Sequence, residues 1–343
     1  MKNLRVLTLV NANLVPPESM EGKSDQEIDQ WKTEYDVATT LREMGHHVEV
    51  LGLDDDLTPL RQSIIDSKPQ VVFNLLEEFS GVVTYDSAIV SFLELKRQPY
   101  TGCNPRGLLL SKDKALSKKI LTFHRIPSPN FCVFPSKRKV VRPQKLRFPI
   151  FVKSVIDDAS LGIAQASVVH TDEELAARVA FIHEHTQADA LAEEFIEGRE
   201  LYVGVMGNNR LQTLPIWELR FTKSDAPIIA TRKVKWDRNY QQKLGVETGP
   251  AEDLTEAQKK QISHLCKRIY QSLDLSGYAR MDLRLRPDGR VYVLEANANP
   301  NLAYGEDFAE SAEVAGISYE ELLNKIMNLG INYPAPWKQF HQS

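Results

Sequence analysis

The beginning of the chain alternates between apolar runs of strand length and segments with helical periodicity. Apolar runs at Arg5–Val10, Val48–Leu51 and Gln70–Leu75 are typical of buried strands. The segment between the first two has apolar residues at helical spacing and ends at Gly45, and Leu60–Ile65 predicts a second helix. This β-α-β-α-β order predicts a small parallel sheet with helices on both faces, without a G-x-G-x-x-G dinucleotide motif after the first strand.

The middle of the chain predicts a second unit in which helices and short strands mix. A basic helix at Ser111–Phe123 precedes strands at Phe131–Phe134, Pro149–Lys153 and Ala164–Val169. A capping box at Thr171–Glu174 opens a further helix, because threonine followed three residues later by glutamate is typical of a helix start.

The last part of the chain predicts a third unit. Leu201–Met206 and Leu211–Trp217 flank Gly207-Asn208-Asn209, which indicates a hairpin. A polar segment at 220–252 is long enough to be a functional loop or lid, and a capped helix follows at Thr255–Leu273. We therefore expect an α/β fold in three parts: an N-terminal Rossmann-like domain at 1–105, a central lobe at 106–189 and a C-terminal lobe at 190–343.

Composition narrows the class of protein. The 343 residues are 42% hydrophobic and 26% charged with a net charge of −4, and no long basic run suggests nucleic acid or an anionic membrane as a partner. No apolar stretch approaches the ~18 residues of a membrane span, and we interpret the apolar N-terminus as a core strand rather than a signal peptide. Three distant cysteines, Cys103, Cys132 and Cys266, fit reduced thiols, so we expect a cytoplasmic protein.

The most informative stretch is an alternating pair of strands around Asp288-Gly289, which predicts a hairpin with a two-residue turn. Counting back from that turn places Asp282 opposite Glu295 and Arg280 opposite Asn297, on one face of the sheet. Like charges directly opposed in a sheet are destabilising, and a shared Mg²⁺ ion with phosphate ligands would relieve the repulsion. Arg280 on the same face could stabilise charge that develops during phosphoryl or acyl transfer.

An alternative interpretation of this hairpin needs no metal. Arg284 and Arg286 share the predicted face, and they could pair with Asp282 and Glu295 in a solvated charge ladder. The carboxamide of Asn297, two residues after the glutamate in an otherwise apolar strand, favours the metal.

Two further segments suit phosphate and nucleotide binding. Lys153 ends an apolar strand and precedes a loop with Ser160, a combination typical of phosphate contacts, although a surface lysine would show the same pattern. Lys114, in the first turn of the basic helix, is a weaker candidate for the same role. The segment Glu193–Glu200 could present carboxylates and backbone groups to an adenine and a ribose, or it could be an exposed, charged strand end.

Taken together, these segments resemble the ATP-grasp superfamily, and within it the D-alanine–D-alanine ligase-like branch. The resemblance runs from Tyr100 to Tyr319 and is most specific where Arg280-Met281-Asp282 is followed by Leu294-Glu295-Ala296-Asn297 and Pro300. It implies a three-lobed α/β fold with ATP held between two α+β lobes. The positions that match the family's nucleotide-binding residues are Lys114, Lys153, Ser160, Glu193, Glu194, Phe195, Ile196 and Glu200. Those that match its Mg²⁺ ligands are Asp282, Glu295 and Asn297, and those that match its transition-state and terminal-phosphate residues are Arg280 and Lys235.

The chain also departs from the family pattern. The phosphate lid at 157–162 lacks one glycine and one serine, and the loop after the first strand lacks the family's substrate glutamate. At the second-substrate site Asn301 replaces a glycine, and Glu306 stands where the family has a serine that holds a carboxylate. An anionic Glu306 would repel an α-carboxylate and attract a cation. Our hypothesis is that the amine substrate is not D-alanine.

The resemblance implies a cytoplasmic ligase that uses ATP and Mg²⁺, or Mn²⁺, to join a small-molecule carboxylate to an amine through an acyl phosphate. The substrates would be amino acids or a peptide, and a homodimer is possible. Two alternatives stay open: an AMP-forming ligase, and a catalytically silent regulatory or scaffold protein that binds ATP on the same fold. The altered phosphate lid favours the silent protein, whereas the complete set of metal ligands favours the enzyme.

Overall fold

The N-terminal part of the chain forms a three-stranded parallel sheet. A computed structural model describes residues 3–156, 165–223, 234 and 238–339. Its first sheet has the order β2-β1-β3 and contains the strands β1 (Arg5–Asn11), β2 (His47–Leu53) and β3 (Val71–Asn74). The helices of this part are α1 (Asp25–Glu43), α2 (Thr58–Ser67) and α3 (Asp86–Leu95). Helix α1 starts at a capping box between Ser24 and Glu27, and Gly45 (φ +85°) follows its end. The sheet and the helices α1 and α2 therefore form where the sequence predicts them, whereas α3 was not predicted.

The predicted basic helix is two helices. The chain forms α4 (Pro105–Lys112) and α5 (Lys114–Phe123), so a single helix at Ser111–Phe123 is wrong. Asp113 between them has extended backbone angles (φ −79°, ψ 97°), and its side chain accepts a hydrogen bond from the Leu116 N–H. The aspartate therefore caps α5 instead of continuing one helix.

The central sheet has four antiparallel strands in the order β4-β7-β5-β6. They are β4 (Phe131–Phe134), β5 (Ile150–Ser154), β6 (Val168–Val169) and β7 (Ala190–Glu194), with α6 (Asp172–Thr186) packed on them. The predicted strand at 164–169 is shorter than expected, because residues 165–167 form a turn of 3₁₀ helix. The lobe boundary predicted from the sequence, at 190, assigns β7 to the C-terminal lobe, but β7 pairs within the central sheet. We therefore propose a boundary after β7.

The C-terminal sheet has six strands in the order β11-β10-β8-β12-β13, with β9 paired to β8. These strands are β8 (Arg199–Met206), β9 (Gln212–Thr213), β10 (Trp217–Phe221), β11 (Val246–Pro250), β12 (Tyr278–Leu285) and β13 (Val291–Ala298). The helices of this part are α7 (Arg238–Leu244), α8 (Glu256–Ser272), α9 (Asp307–Val314), α10 (Tyr319–Ile331) and α11 (Pro336–Gln339). The polar segment at 220–252 thus contains α7 and β11, and part of it lies outside the described residues.

The N-terminal and C-terminal sheets share one apolar core. Leu9 and Val72 of the first sheet belong to the same buried cluster as Val203 and Met281 of the last. Gly277, in the left-handed region at φ +70°, brings its Cα against the chain at Gly102, where an added Cβ would lie 2.4 Å from a carbonyl oxygen. This close approach fixes β12, which carries the predicted metal residues, against the N-terminal part of the chain. None of the helices in the described part of the chain combines the length and the apolar character that a membrane span requires.

Candidate active site

The hairpin of β12 and β13 pairs the residues that the sequence predicts, but by a different route. Arg280 is opposite Asn297 and Asp282 is opposite Glu295. The turn is not the predicted two-residue turn, because Arg286 N–H donates to the Arg290 carbonyl at 2.9 Å and so pairs with it. This longer turn shifts the register by one residue, and an irregularity in the ladder after Asp282 shifts it back.

Asp282 is held by two neighbours on the same face. Arg280 donates to both of its carboxylate oxygens at 2.8 and 2.9 Å, and the Asn297 amide donates at 2.9 Å. The Arg280 guanidinium also lies over the Tyr202 ring, 4.6 Å from its centroid, and 3.8 Å from Asp307. Burial lowers the pKa of Arg280, but Asp282 outweighs that effect and raises it. Arg280 is therefore a fixed positive charge beside Asp282.

Four charged side chains, from two sheets and one helix, meet in the interior at this hairpin. Lys153, at the end of β5, lies 3.0 Å from Glu193 Oε1 and 3.5 Å from Glu295 Oε2. Lys118 of α5 lies 2.6 Å from Glu193 Oε2 and donates to the Leu294 carbonyl oxygen at 3.1 Å. The exposed fractions of Lys118, Glu193 and Lys153 are 1%, 3% and 5%, so neither a surface lysine nor an exposed strand end describes these positions.

Burial and charge act in opposite directions on this group. Burial raises the pKa of the Glu193 carboxyl, but the charges of Lys118 and Lys153 outweigh it and hold that pKa below its usual value. Burial lowers the pKa of Lys153, whereas Glu193 and Glu295 raise it, and the net change is upward. For Lys118 the burial dominates, and its pKa is lowered. With all four groups ionised, two positive and two negative charges balance.

Glu200, the predicted ribose ligand, is engaged by protein partners. Arg284 donates to its Oε2 at 2.8 Å and Tyr202 donates to its Oε1 at 2.9 Å. Arg284 also donates to the Gly198 carbonyl at 3.1 Å. Since Asp282 pairs with Arg280 and Arg284 pairs with Glu200, these contacts do not match the charge ladder considered as an alternative.

Glu194, Phe195 and Ile196 line a cavity of about 260 Å³ beside the central sheet. Arg147 and Arg286 also line it, from opposite lobes. The Glu194 carboxylate accepts hydrogen bonds from the Asn130 amide at 3.0 Å and from the Arg147 N–H at 3.1 Å. The structure thus places three of the predicted nucleotide-binding residues around one cavity. Its volume is slightly smaller than that of common ligand pockets.

The two predicted substrate residues, Asn301 and Glu306, lie in the loop between β13 and α9, and this loop contacts helix α1. Asn301 Oδ1 accepts from the Thr33 hydroxyl at 2.7 Å and from the Ala303 N–H at 2.9 Å, so it joins the C-terminal loop to α1. Glu306 is partly buried and precedes α9, whose first residue is the Asp307 that faces Arg280. Glu306 is therefore next in the chain to a residue whose carboxylate lies 3.8 Å from Arg280.

The side chains of Asp282, Glu295 and Asn297 fit a hard divalent cation, because carboxylate and amide oxygens are the ligands that Mg²⁺ takes. Among the described residues, no group of three or more His, Cys, Asp or Glu side chains could hold a metal by itself. A cation here therefore needs further oxygen ligands, and bound phosphates are the usual source.

Three predicted features fall outside the described residues: Ser160, Lys235 and the phosphate lid at 157–162. Lys114 is described and is buried at the start of α5, where its N–H donates to the Val155 carbonyl at 3.1 Å. Sequence reasoning missed Lys118. The only signal for it was its place one helical turn after Lys114, on the same face of α5.

Comparison with known proteins agrees with this architecture. The family "D-ala D-ala ligase C-terminus" matches residues 120–328. An uncharacterised protein of Sinorhizobium fredii, y4sG, is 32% identical over 301 residues, 85% of each chain. A D-alanine–D-alanine ligase of Desulfotalea psychrophila is 30% identical over 259 residues, 73% of this chain and 76% of the relative.

Solved structures show the same fold. A D-alanine–D-alanine ligase of Bacillus anthracis complexed with ATP superposes with a TM-score of 0.74 at 21% identity, covering 96% of this chain and 97% of the other. The VanG D-Ala:D-Ser ligase of Enterococcus faecalis gives a TM-score of 0.70 at 19% identity, covering 96% and 99%. The chain therefore belongs to the D-alanine–D-alanine ligase family of ATP-dependent ligases and has the ATP-grasp fold.

Proposed function

We propose that this protein is an ADP-forming ligase that joins a carboxylate to an amine through an acyl phosphate. The observation that carries the proposal is the pairing of Asp282 with Glu295, beside Arg280 and the buried Lys153. Family membership supports ATP-dependent ligase chemistry. The arrangement brings together oxygen ligands for a cation and the Arg280 charge for an acyl centre on the hairpin. The Lys153 charge for phosphate comes from β5 of the central sheet.

The proposed reaction has two steps. The carboxylate of the first substrate attacks the terminal phosphorus of ATP, which gives an acyl phosphate and ADP, and Lys153 neutralises phosphate charge. Asp282, Glu295 and Asn297 would hold a Mg²⁺ ion, which would supply Lewis-acid stabilisation of the phosphate oxygens. The amine then attacks the acyl carbon, Arg280 stabilises the oxyanion and phosphate leaves. Lys235 is proposed to reach the terminal phosphate.

Substitution of the paired acids tests the proposal. Asp282→Asn and Glu295→Gln are each expected to lower ATP-dependent product formation at least a hundredfold, whereas Asp288→Asn, in the turn of the same hairpin, leaves it unchanged. Amino acids and dipeptides are screened for release of ADP. Undiminished turnover after both acids are changed would refute the proposal, and AMP with pyrophosphate as products would favour the AMP-forming alternative.

We also propose that the amine substrate differs from D-alanine, because Glu306 places a negative charge next in the chain to Asp307, which faces Arg280. A structural neighbour that is a D-Ala:D-Ser ligase supports variation of the amine on this fold. Glu306→Ser is expected to increase the rate with D-alanine relative to wild type, and Glu313→Ser, exposed on the helix that follows Glu306, serves as the matched control. Equal D-alanine rates for wild type and Glu306→Ser would exclude this role of Glu306.

A further inference from the structure

Lys118 joins three parts of the molecule through one ammonium group. It projects from α5 and contacts Glu193 in the central sheet at 2.6 Å and the Leu294 carbonyl in the C-terminal sheet at 3.1 Å. Only 1% of its surface is exposed, so these contacts are shielded from water. A charged side chain buried this deeply destabilises the fold unless it is paired and hydrogen-bonded. The burial of Lys118 therefore points to a specific role for its contacts.

Leu294 is the extra residue of a β-bulge. The ladder pairs Leu283 with Val293 and then Asp282 with Glu295, so Leu294 has no partner residue on β12. Residues at a bulge leave the regular hydrogen-bond ladder and bend the strand locally. The Lys118 ammonium therefore supplies a hydrogen bond to a carbonyl group at the one place where the ladder is interrupted.

Without the bulge, the metal residues would not share a face. The register set by the turn pairs Leu283 with Val293, and its continuation would place Leu294 opposite Asp282 and Glu295 opposite Met281. Met281 is fully buried in the core, and a register slip of one residue moves a side chain to the other face of the sheet. The bulge is thus what brings the Glu295 carboxylate next to Asp282.

We propose that Lys118 is a positioning residue that holds the Leu294 bulge, and through it the Glu295 carboxylate, in the orientation needed for a divalent cation. This inference rests on the proposed function of the hairpin as a metal and phosphate site. Lys118 itself touches neither the cation nor the substrates. It acts through one backbone carbonyl and one neighbouring acid.

The charge balance adds a second reason. Lys118 and Lys153 share Glu193, and Lys153 also lies near Glu295. When the Lys118 charge is removed, Glu193 is left with Lys153 alone, and the buried group carries one excess negative charge. Lys153 is then drawn to Glu193 and away from Glu295. Loss of the bulge contact and loss of the charge therefore displace Glu295 together.

Direct Mn²⁺ binding in the presence of saturating ADP tests the inference, with the free Mn²⁺ signal in electron paramagnetic resonance as the readout. Lys118→Met removes the charge and the donors while keeping a long apolar chain. It is expected to weaken Mn²⁺ binding at least tenfold, the size of effect that groups supporting metal ligands produce. Lys119→Met, the exposed neighbour on the same helix, is expected to bind as wild type does. In turnover, the Mg²⁺ concentration for half-maximal rate is expected to rise more than the KM of the amine.

The outcomes separate this inference from the proposed function. A folded Lys118→Met protein that binds Mn²⁺ within twofold of wild type overturns the role of Lys118 and leaves the metal site standing. A wild-type protein that binds no Mn²⁺ with ADP overturns both. If Lys118→Met does not fold, Lys118→Met/Glu193→Gln is compared with Glu193→Gln, because the double change leaves no unpaired buried charge. A tenfold difference between those two supports the inference, and a difference below twofold overturns it.

Discussion

Because the side chain of Glu34 on α1 is buried, we expect the stability of the folded protein to fall as the pH rises. The residue is 6% exposed, and burial, together with the nearby negative charges of Glu77 and Asp36, raises the pKa of its carboxyl from 4.5 to about 7. A raised carboxyl pKa means that the folded state binds the proton more tightly than the unfolded state does. The contribution to stability is therefore complete below about pH 4.5 and is lost as the pH rises through about 7.

The magnitude follows from the two pKa values. Moving from the usual 4.5 to about 7 corresponds to about 3 kcal/mol of unfolding free energy, at ~1.4 kcal/mol for each tenfold change in proton affinity. Between pH 5 and pH 8 the expected loss from this one group is about 2.5 kcal/mol. Glu34→Gln is neutral at every pH and of similar size, so it lacks this loss.

Urea unfolding followed by tryptophan fluorescence at pH 5 and pH 8 measures the effect. The stability of Glu34→Gln relative to wild type is expected to increase by about 2.5 kcal/mol between these pH values. Glu43→Gln, an exposed acid on the same helix, controls for the loss of a negative charge and is expected to change the relative stability by less than ~0.5 kcal/mol. Parallel pH dependences of wild type and Glu34→Gln would show that the Glu34 carboxyl is not buried as described.

Three further predictions concern pairs, packing and metal. Arg284→Met leaves the Glu200 carboxylate buried without its guanidinium partner and is expected to lower the free energy of unfolding by about 3–5 kcal/mol. The double variant Arg284→Met/Glu200→Gln is expected to recover most of that loss. Thermal unfolding of both variants measures this, and equal melting temperatures would contradict it. Gly277→Ala forces a side chain into a left-handed backbone position, 2.4 Å from the Gly102 carbonyl oxygen. The melting temperature should therefore fall by more than ~5 °C. An unchanged melting temperature would show that the segments around Gly277 and Gly102 separate freely. Chelation with EDTA is expected to abolish ATP consumption, with recovery on adding Mg²⁺ or Mn²⁺; consumption that persists in EDTA would exclude a required cation.

Local patterns predicted most of the elements in this fold. The strands and helices of the N-terminal sheet, and the capping boxes that start α8 at Thr255 and α10 at Ser318, are set by residues close together in the chain. Such signals are visible in a sequence because each depends on neighbours within a few positions. The position of β7 was different. Nothing within the segment 190–194 shows which sheet it joins, because that depends on β4 and β5 far away in the chain.

The hairpin shows the same limit at the candidate site. The sequence identified the pairs Asp282 with Glu295 and Arg280 with Asn297, yet the assumed two-residue turn was wrong. Two differences of one residue cancelled: the turn is longer, and a bulge at Leu294 restores the register. A bulge of this kind leaves no local signature, and its contact with Lys118 joins positions 176 residues apart.

The interior charges beside the hairpin are better explained by the site than by stability. Buried ion pairs contribute little to stability compared with apolar residues of the same size, because removing charges from water is unfavourable. A chain that needed only a stable contact between α5, β7 and β13 could place apolar side chains at Lys118 and Glu193. The balanced group instead keeps Lys153 next to Glu295 without leaving a net charge in the interior. Because ATP would bring negative phosphates to Lys153 and a cation to Glu295, both residues gain a new partner of opposite charge on binding, while Lys118 and Glu193 remain paired with each other. The same four charges can therefore be balanced before and after the nucleotide binds, which a purely apolar contact would not allow.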